Sequence, residues 1–254
     1  GGAQELVKKG VLENPAVDAI FAIHMMPDED RVGKVLVRPG PLTTSVDAYY
    51  ITVTGQGGHG SAPHTTDDPL LAACQMVVNL QQIVARRVDP LETAIVSVGR
   101  FNSGDAINVI PGEAKFSIVS RAYSEKVREV VDKQVHAIAK GMESISNCRF
   151  DIVHEKGYPS MYNDKEMVDL ARAAVLEELG PDSVVDLDKP FSFSEDFAYY
   201  RQMSGVPSAI FMVCAGHNGD AVYPLHSSKC SMKEGAMPYG MRTLASVALK
   251  YLGA

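Results

Sequence analysis

The apolar and polar positions divide the chain into three stretches of different character. In the first, apolar runs are short and unbroken. Residues 16–24 (AVDAIFAIH) read as a buried strand and residues 33–38 as a second, closed by Pro39-Gly40-Pro41. A short helix over residues 2–10, ending at Gly10, precedes them. In the second stretch the period changes. Residues 45–55 alternate apolar and polar, as a half-buried strand does. Asp68-Pro69 opens a helix, since Asp caps and Pro suits the first turn, and Asp89-Pro90 breaks it after residue 87. Strands are predicted over 92–101 and 113–121. A second long helix, capped by Ser124 with Glu125 in its first turn, runs to residue 144, and a last strand spans 148–155.

The order over 45–155 is thus β-α-β-β-α-β, the split, ferredoxin-like arrangement of two helices on an antiparallel sheet. In the third stretch Asn163 or Asp164 starts an amphipathic helix stopped by Gly180-Pro181, and Ser194 caps a short helix with Glu195 and Asp196 in its first turn. Residues 207–215 (PSAIFMVCA) have the unbroken apolar pattern of a strand covered on both faces. A final helix covers 239–252. The simplest architecture is an α/β domain, residues 1–42 and 157–254, interrupted by a ferredoxin-like insertion at 43–156, with hinges near residues 40 and 157.

Composition narrows the function classes. With 254 residues and 46 % hydrophobic content there is material for a normal core. A formal charge of −7 without a Lys/Arg cluster argues against nucleic-acid binding. No apolar run is long enough for a membrane span, and residue 1 is not followed by the pattern of a signal peptide. The four cysteines, at 74, 148, 214 and 230, are far apart, which fits neither a disulfide framework nor a zinc ribbon; a cytoplasmic setting is expected. Gly1-Gly2-Ala3 runs into a helix without an initiator Met, so the chain is expected to be part of a longer protein or a processed product.

The candidate chemistry is carried by histidines on loops and strand ends. His59 lies in Gly57-Gly58-His59-Gly60-Ser61-Ala62-Pro63-His64, after a strand and before a capped helix. His24 ends its predicted strand, and ligands in open α/β sheets gather at carboxyl ends of strands. It reads equally as a histidine closing a strand against solvent. His226, in Tyr223-Pro224-Leu225-His226-Ser227-Ser228, is again on an irregular segment near a strand's end. His217 reads as solvated, and His136 and His154 as structural or solvated. Asn108 and Arg121 have the chemistry to hold a carbonyl and a carboxylate, or to be a turn residue and a strand-end ion pair. Glu195 and Asp196 read first as helix-dipole partners. No nucleophile elbow or P-loop occurs, and Cys74 is expected in the core of its helix.

Five motifs follow one another in order: Ile23-His24-Met25-Met26-Pro27; Gly57-Gly58-His59-Gly60-Ser61-Ala62-Pro63-His64; Asn108-Val109-Ile110-Pro111; Ser194-Glu195-Asp196-Phe197-Ala198-Tyr199-Tyr200; and Leu225-His226-Ser227. Together they resemble the M20 metallopeptidase family. Within it they are most similar to the amidohydrolases of N-acyl amino acids, such as hippurate hydrolase and the auxin-conjugate hydrolases. The resemblance implies a metal-binding α/β domain, here incomplete at its N-terminus, with an inserted lid that dimerises.

It also implies roles. His24 and His226 would be ligands of a centre of two divalent metal ions, for which Zn, Mn, Co and Ni all suit a His/carboxylate site. His59 would act from the lid, in the partner subunit's site, and Asn108 and Arg121 would hold the substrate, Arg121 by its carboxylate. The family's Cys-Gly-His-Asp and Glu-Glu motifs, which supply the other ligands and the general base, would precede Gly1. The implied activity is metal-dependent hydrolysis of the amide of an N-acyl amino acid by a homodimer, with this chain inactive alone. The alternatives are a non-catalytic dimerisation or ligand-binding module of the same fold, and a dipeptidase or carboxypeptidase of the same family.

Overall fold

The computed structural model describes residues 1–219 and 221–253. They form two compact units: Gly1–Thr43 with Met161–Phe191 and Asp196–Ala254, and Thr44–Ser160 with Ser192–Glu195. The first unit opens with α1 (Ala3–Lys8), β1 (Ile20–Met26), β2 (Val35–Val37) and β3 (Gly40–Thr43). The helix is short because Gly10, at φ +77°, turns the chain away. The predicted first strand is displaced. It starts at Ile20 and continues through Met26, so His24 lies inside it rather than at its end. Its pairing explains the shift: β1 takes its register from a buried neighbour strand, and that ladder runs as far as Met26.

The second unit contains β4 (Asp47–Thr54), β5 (Gly58–His59), α2 (Pro69–Arg86), β6 (Ala94–Ser103), β7 (Val109–Ile110), β8 (Glu113–Ala122), α3 (Glu125–Ser146) and β9 (Arg149–Lys156). The caps are those read from sequence. Asp68 Oδ1 accepts from Leu71 N at 3.0 Å, and Ser124 Oγ accepts from Val127 N at 3.3 Å. Asn147 closes α3 in the left-handed region, φ +57°, where Asn is tolerated. The sheet order is β6-β8-β4-β9, with every neighbouring pair antiparallel. Tyr49, Ile51 and Val53 alternate into the core and meet Met76, Leu80 and Ile83 of α2 and Val127, Val131 and Val135 of α3. β5 and β7 form a separate two-stranded ladder.

Beneath this core lies a buried ion pair. Arg128 grips Asp47 through Nε at 2.6 Å and Nη2 at 2.7 Å, and donates to the Gly157 carbonyl at 2.9 Å. Burial opposes the Asp47 charge, and the Arg128 hydrogen bonds overcome it, so its carboxyl titrates below the ordinary range. Of the two readings open for His154, structural and solvated, the structural one holds. Phe150, Ile152 and His154 share a side of β9, so His154 faces the helices rather than solvent and stacks on Tyr49, ring centroids 4.2 Å apart.

The remaining elements, β10 (Met161–Asn163), α4 (Lys165–Leu179), β11 (Val184–Asp186), α5 (Ala198–Ser204), β12 (Ser208–Cys214) and α6 (Met237–Tyr251), complete the first unit. Its main sheet is β1-β12-β2-β11, with β12 buried at every position as its unbroken apolar pattern requires. α5 begins later than predicted. Phe197 stands at its N-cap, Glu195 and Asp196 precede it, and Ser194 does not cap it. Among the described residues no helix is long and apolar enough to cross a membrane.

Candidate functional site

In the first unit, His24 sits in β1 opposite Met212 of β12 and is half-buried. Its Nδ1 is 2.9 Å from the Met25 carbonyl oxygen. A carbonyl can only accept, so in the neutral ring Nδ1 carries the proton and Nε2 carries the lone pair. A second hydrogen bond of this kind is what fixes the tautomer of a metal-binding histidine. His226 lies in a turn with its side chain exposed and its backbone at φ +68°. A non-glycine residue held there costs of order 1–3 kcal/mol, and such residues cluster at functional sites. The donor chemistry of both suits a divalent cation, but two imidazoles fall short of the three protein ligands a catalytic zinc takes.

His217, read from sequence as solvated, is only 14 % exposed in its side chain, with Nδ1 3.3 Å from Glu29 Oε2. Glu29 Oε2 also accepts from the His217 backbone at 3.0 Å. The tight left-handed turn at Gly216 folds His217 back onto Glu29. Cys214, at the end of β12, is buried, and burial pushes its thiol up to about 11, so it is a protonated core group at neutral pH. Cys74 departs from expectation in the other direction: it is exposed.

The second unit brings His59 and Asn108 together. β5 pairs His59 with Val109, and the Gly60 N–H donates to the Asn108 carbonyl at 2.8 Å. The glycines of the motif are there for close approach. A Cβ on Gly57 would lie 2.6 Å from the Ile110 carbonyl oxygen, and one on Gly60 would lie 3.0 Å from that of Asn108. His59 is exposed, and its ring orientation is set by a residue the sequence reading passed over. The backbone N–H of Ser61 donates to His59 Nδ1 at 3.1 Å, and the Ser61 hydroxyl lies 2.8 Å from the same atom. An N–H can only donate, so Nδ1 accepts and the proton of the neutral ring is on Nε2. His59 therefore presents an N–H donor at the far edge of its imidazole.

Arg121, at the end of β8, uses Nη1 for Ser192 O at 3.2 Å, Ser194 Oγ at 3.0 Å and Thr44 Oγ1 at 3.4 Å. Among the described residues these are its hydrogen bonds, and Nε and Nη2 keep the donors that a carboxylate would need. Ser194 thus serves Arg121 in place of the predicted helix cap. Nothing in the sequence marked Ser61 beyond its place in the motif, and Ser194 was marked only as a helix cap.

Among the described residues, one set of three side chains has metal-binding geometry, and it includes none of the expected ligands: Asp132, His136 and His154, in the second unit.

The model of "Peptidase family M20/M25/M40" matches residues 1–250. The chain is 33 % identical over 253 residues to hippurate hydrolase of Campylobacter jejuni, covering 99 % of this chain and 64 % of that protein. It is 33 % identical over 259 residues to IAA-amino acid hydrolase ILR1-like 4 of Arabidopsis thaliana, covering 99 % and 57 %. A crystal structure of Bacillus subtilis YXEP, described as a dinuclear metal-binding peptidase of the M20 family, superimposes with a TM-score of 0.79 at 25 % identity, covering 99 % of this chain and 61 % of that one. The chain therefore spans about three fifths of the length of such relatives.

Proposed function

The chain belongs to peptidase family M20/M25/M40, and from that premise we propose that the protein containing it is a metal-dependent amidohydrolase of N-acyl amino acids. The match over residues 1–250, shared with hydrolases named for hippurate and for IAA-amino acids, carries this reading. The fixed Nε2–H of His59 agrees with it. We assign His24 and His226 to a pair of divalent ions, with the other ligands and the general base in sequence outside this chain. Such ions, when bound, lower the pKa of a water and polarise a carbonyl.

This chain's residues supply the rest. His59 donates from Nε2 to the carbonyl oxygen as negative charge develops there, an interaction that strengthens in the transition state. Asn108, whose backbone is tied to the His59 loop, donates to the same end of the amide. Arg121 takes the carboxylate of the amino acid. The order β6-β8-β4-β9 supports reading the second unit as the ferredoxin-like inserted lid. Its edge strand β6 carries exposed Ile95 and Phe101, a surface suited to a second copy of the chain.

The test is a substrate panel on the full-length protein: N-acetyl and N-benzoyl amino acids beside dipeptides. Preferential hydrolysis of the N-acyl amino acids supports the assignment. Preferential cleavage of dipeptides replaces it with a dipeptidase, and no turnover with any divalent metal replaces it with a binding module.

A further inference from the structure

We propose a second metal site, separate from the assigned catalytic pair: a Zn2+-class cation held between α3 and β9 by Asp132, His136 and His154. Asp132 and His136 are four residues apart on α3, so both project from one side of the helix. His154 meets them from the core-facing side of β9. His154 Nδ1 is 3.1 Å from Asp132 Oδ1, and His136 Nε2 is 3.6 Å from the same oxygen. Ligands of a tetrahedral zinc about 2.0–2.1 Å from the ion are spaced about 3.3 Å apart. Two of the three separations thus already match the edges of such a polyhedron, all three atoms lie within 4.8 Å of one another, and a small movement of the side chains admits the ion.

Two features outside the ligand set point the same way. The far nitrogen of His154, Nε2, is buried without a well-aligned hydrogen bond and lies 3.3 Å from Asp47 Oδ1. That carboxylate is locked by Arg128. A carboxylate behind the distal nitrogen of a ligating imidazole holds the proton there and aims the lone pair at the metal. The Tyr49 ring stacks on His154 and its hydroxyl donates to Asp132 Oδ1 at 3.2 Å, fixing both ligands from below. Three protein ligands leave a fourth position for water, and two imidazoles with one carboxylate favour Zn2+, Co2+ or Ni2+ over Mg2+ or Ca2+. The ion would staple the helix to the edge strand.

The experiment is Zn2+ titration of the metal-stripped chain by calorimetry, with Co2+ absorption as a second readout. Four chains are compared: wild type, His136→Gln, His24→Gln and His226→Gln. His136 is half-exposed on a long helix, so its replacement leaves the fold intact. The expected result is one Zn2+ per chain, an affinity at least about tenfold lower in His136→Gln, and little change in the other two variants. Ring-nitrogen NMR shifts of His136 and His154 that move on Zn2+ addition to the wild type give the same answer without mutation. Wild-type affinity in His136→Gln, or unmoved ring resonances, overturns the proposal. Loss confined to His24→Gln and His226→Gln assigns the bound ion to the catalytic pair and overturns it too.

Discussion

At the scale of single residues, the proposed function turns on which nitrogen of each imidazole holds the proton. Backbone groups decide this: the Ser61 N–H for His59 and the Met25 carbonyl for His24. His59→Ala in the full-length enzyme is expected to lower kcat by about a hundred- to a thousand-fold with little change in KM, the signature of a lost transition-state donor. Steady-state kinetics on an N-acyl amino acid checks it. Ser61→Ala keeps the backbone N–H and with it the tautomer. Its expected loss is about fivefold, the worth of one ordinary hydrogen bond of about 1 kcal/mol. A loss as large as that of His59→Ala would mean the hydroxyl, not the backbone, sets the ring. Arg121→Lys is expected to raise KM about ten- to a hundred-fold, because a bidentate charged contact is lost. The same substitution should leave the KM of a substrate with an amidated carboxyl unchanged.

Among elements, the second unit depends on α3 being clamped to the strands below it. Arg128 and Asp47 are 4 % and 1 % exposed in their side chains, so removing one leaves the other charged and buried. Arg128→Ala is expected to destabilise the chain by about 3–5 kcal/mol in denaturant unfolding. Replacing both partners by apolar residues of similar volume should recover much of that loss. The β5–β7 ladder is controlled differently, by the absence of side chains. Gly57→Ala drives a methyl against the Ile110 carbonyl, and the loop must shift. Because this ladder lies outside the main core, activity should fall while the thermal midpoint hardly moves; a large drop in the midpoint would show that the ladder supports the core. Helix caps were legible from sequence because Asp68 and Ser124 act on N–H groups three residues away. The short strands β3, β5, β7, β10 and β11 were not, because two to four residues carry too little period for a pattern to emerge.

For the whole molecule, a chain carrying two assigned ligands is expected to show no hydrolysis by itself with any divalent metal, and product assay on N-acyl amino acids checks this. The motif order and apolar periods determined the family, the longer strands that carry His24 and Arg121, the loop motifs that hold His59 and Asn108, and the caps that start α2 and α3. These are local or linear properties, written in spacing and turn chemistry. Tertiary structure alone decided the rest. Register against β12 put His24 inside β1 instead of at its end. The side of β9 that faces the helices decided that His154, structural or solvated from sequence, is a partner of Tyr49, Asp47 and Asp132. Arg121 recruited Ser194, some seventy residues away, from the helix cap it was expected to be. In each case the deciding contact joins residues distant in the chain. A hydrogen bond or ion pair of that kind leaves no trace in local spacing, because only packing of the folded chain brings its two ends within reach.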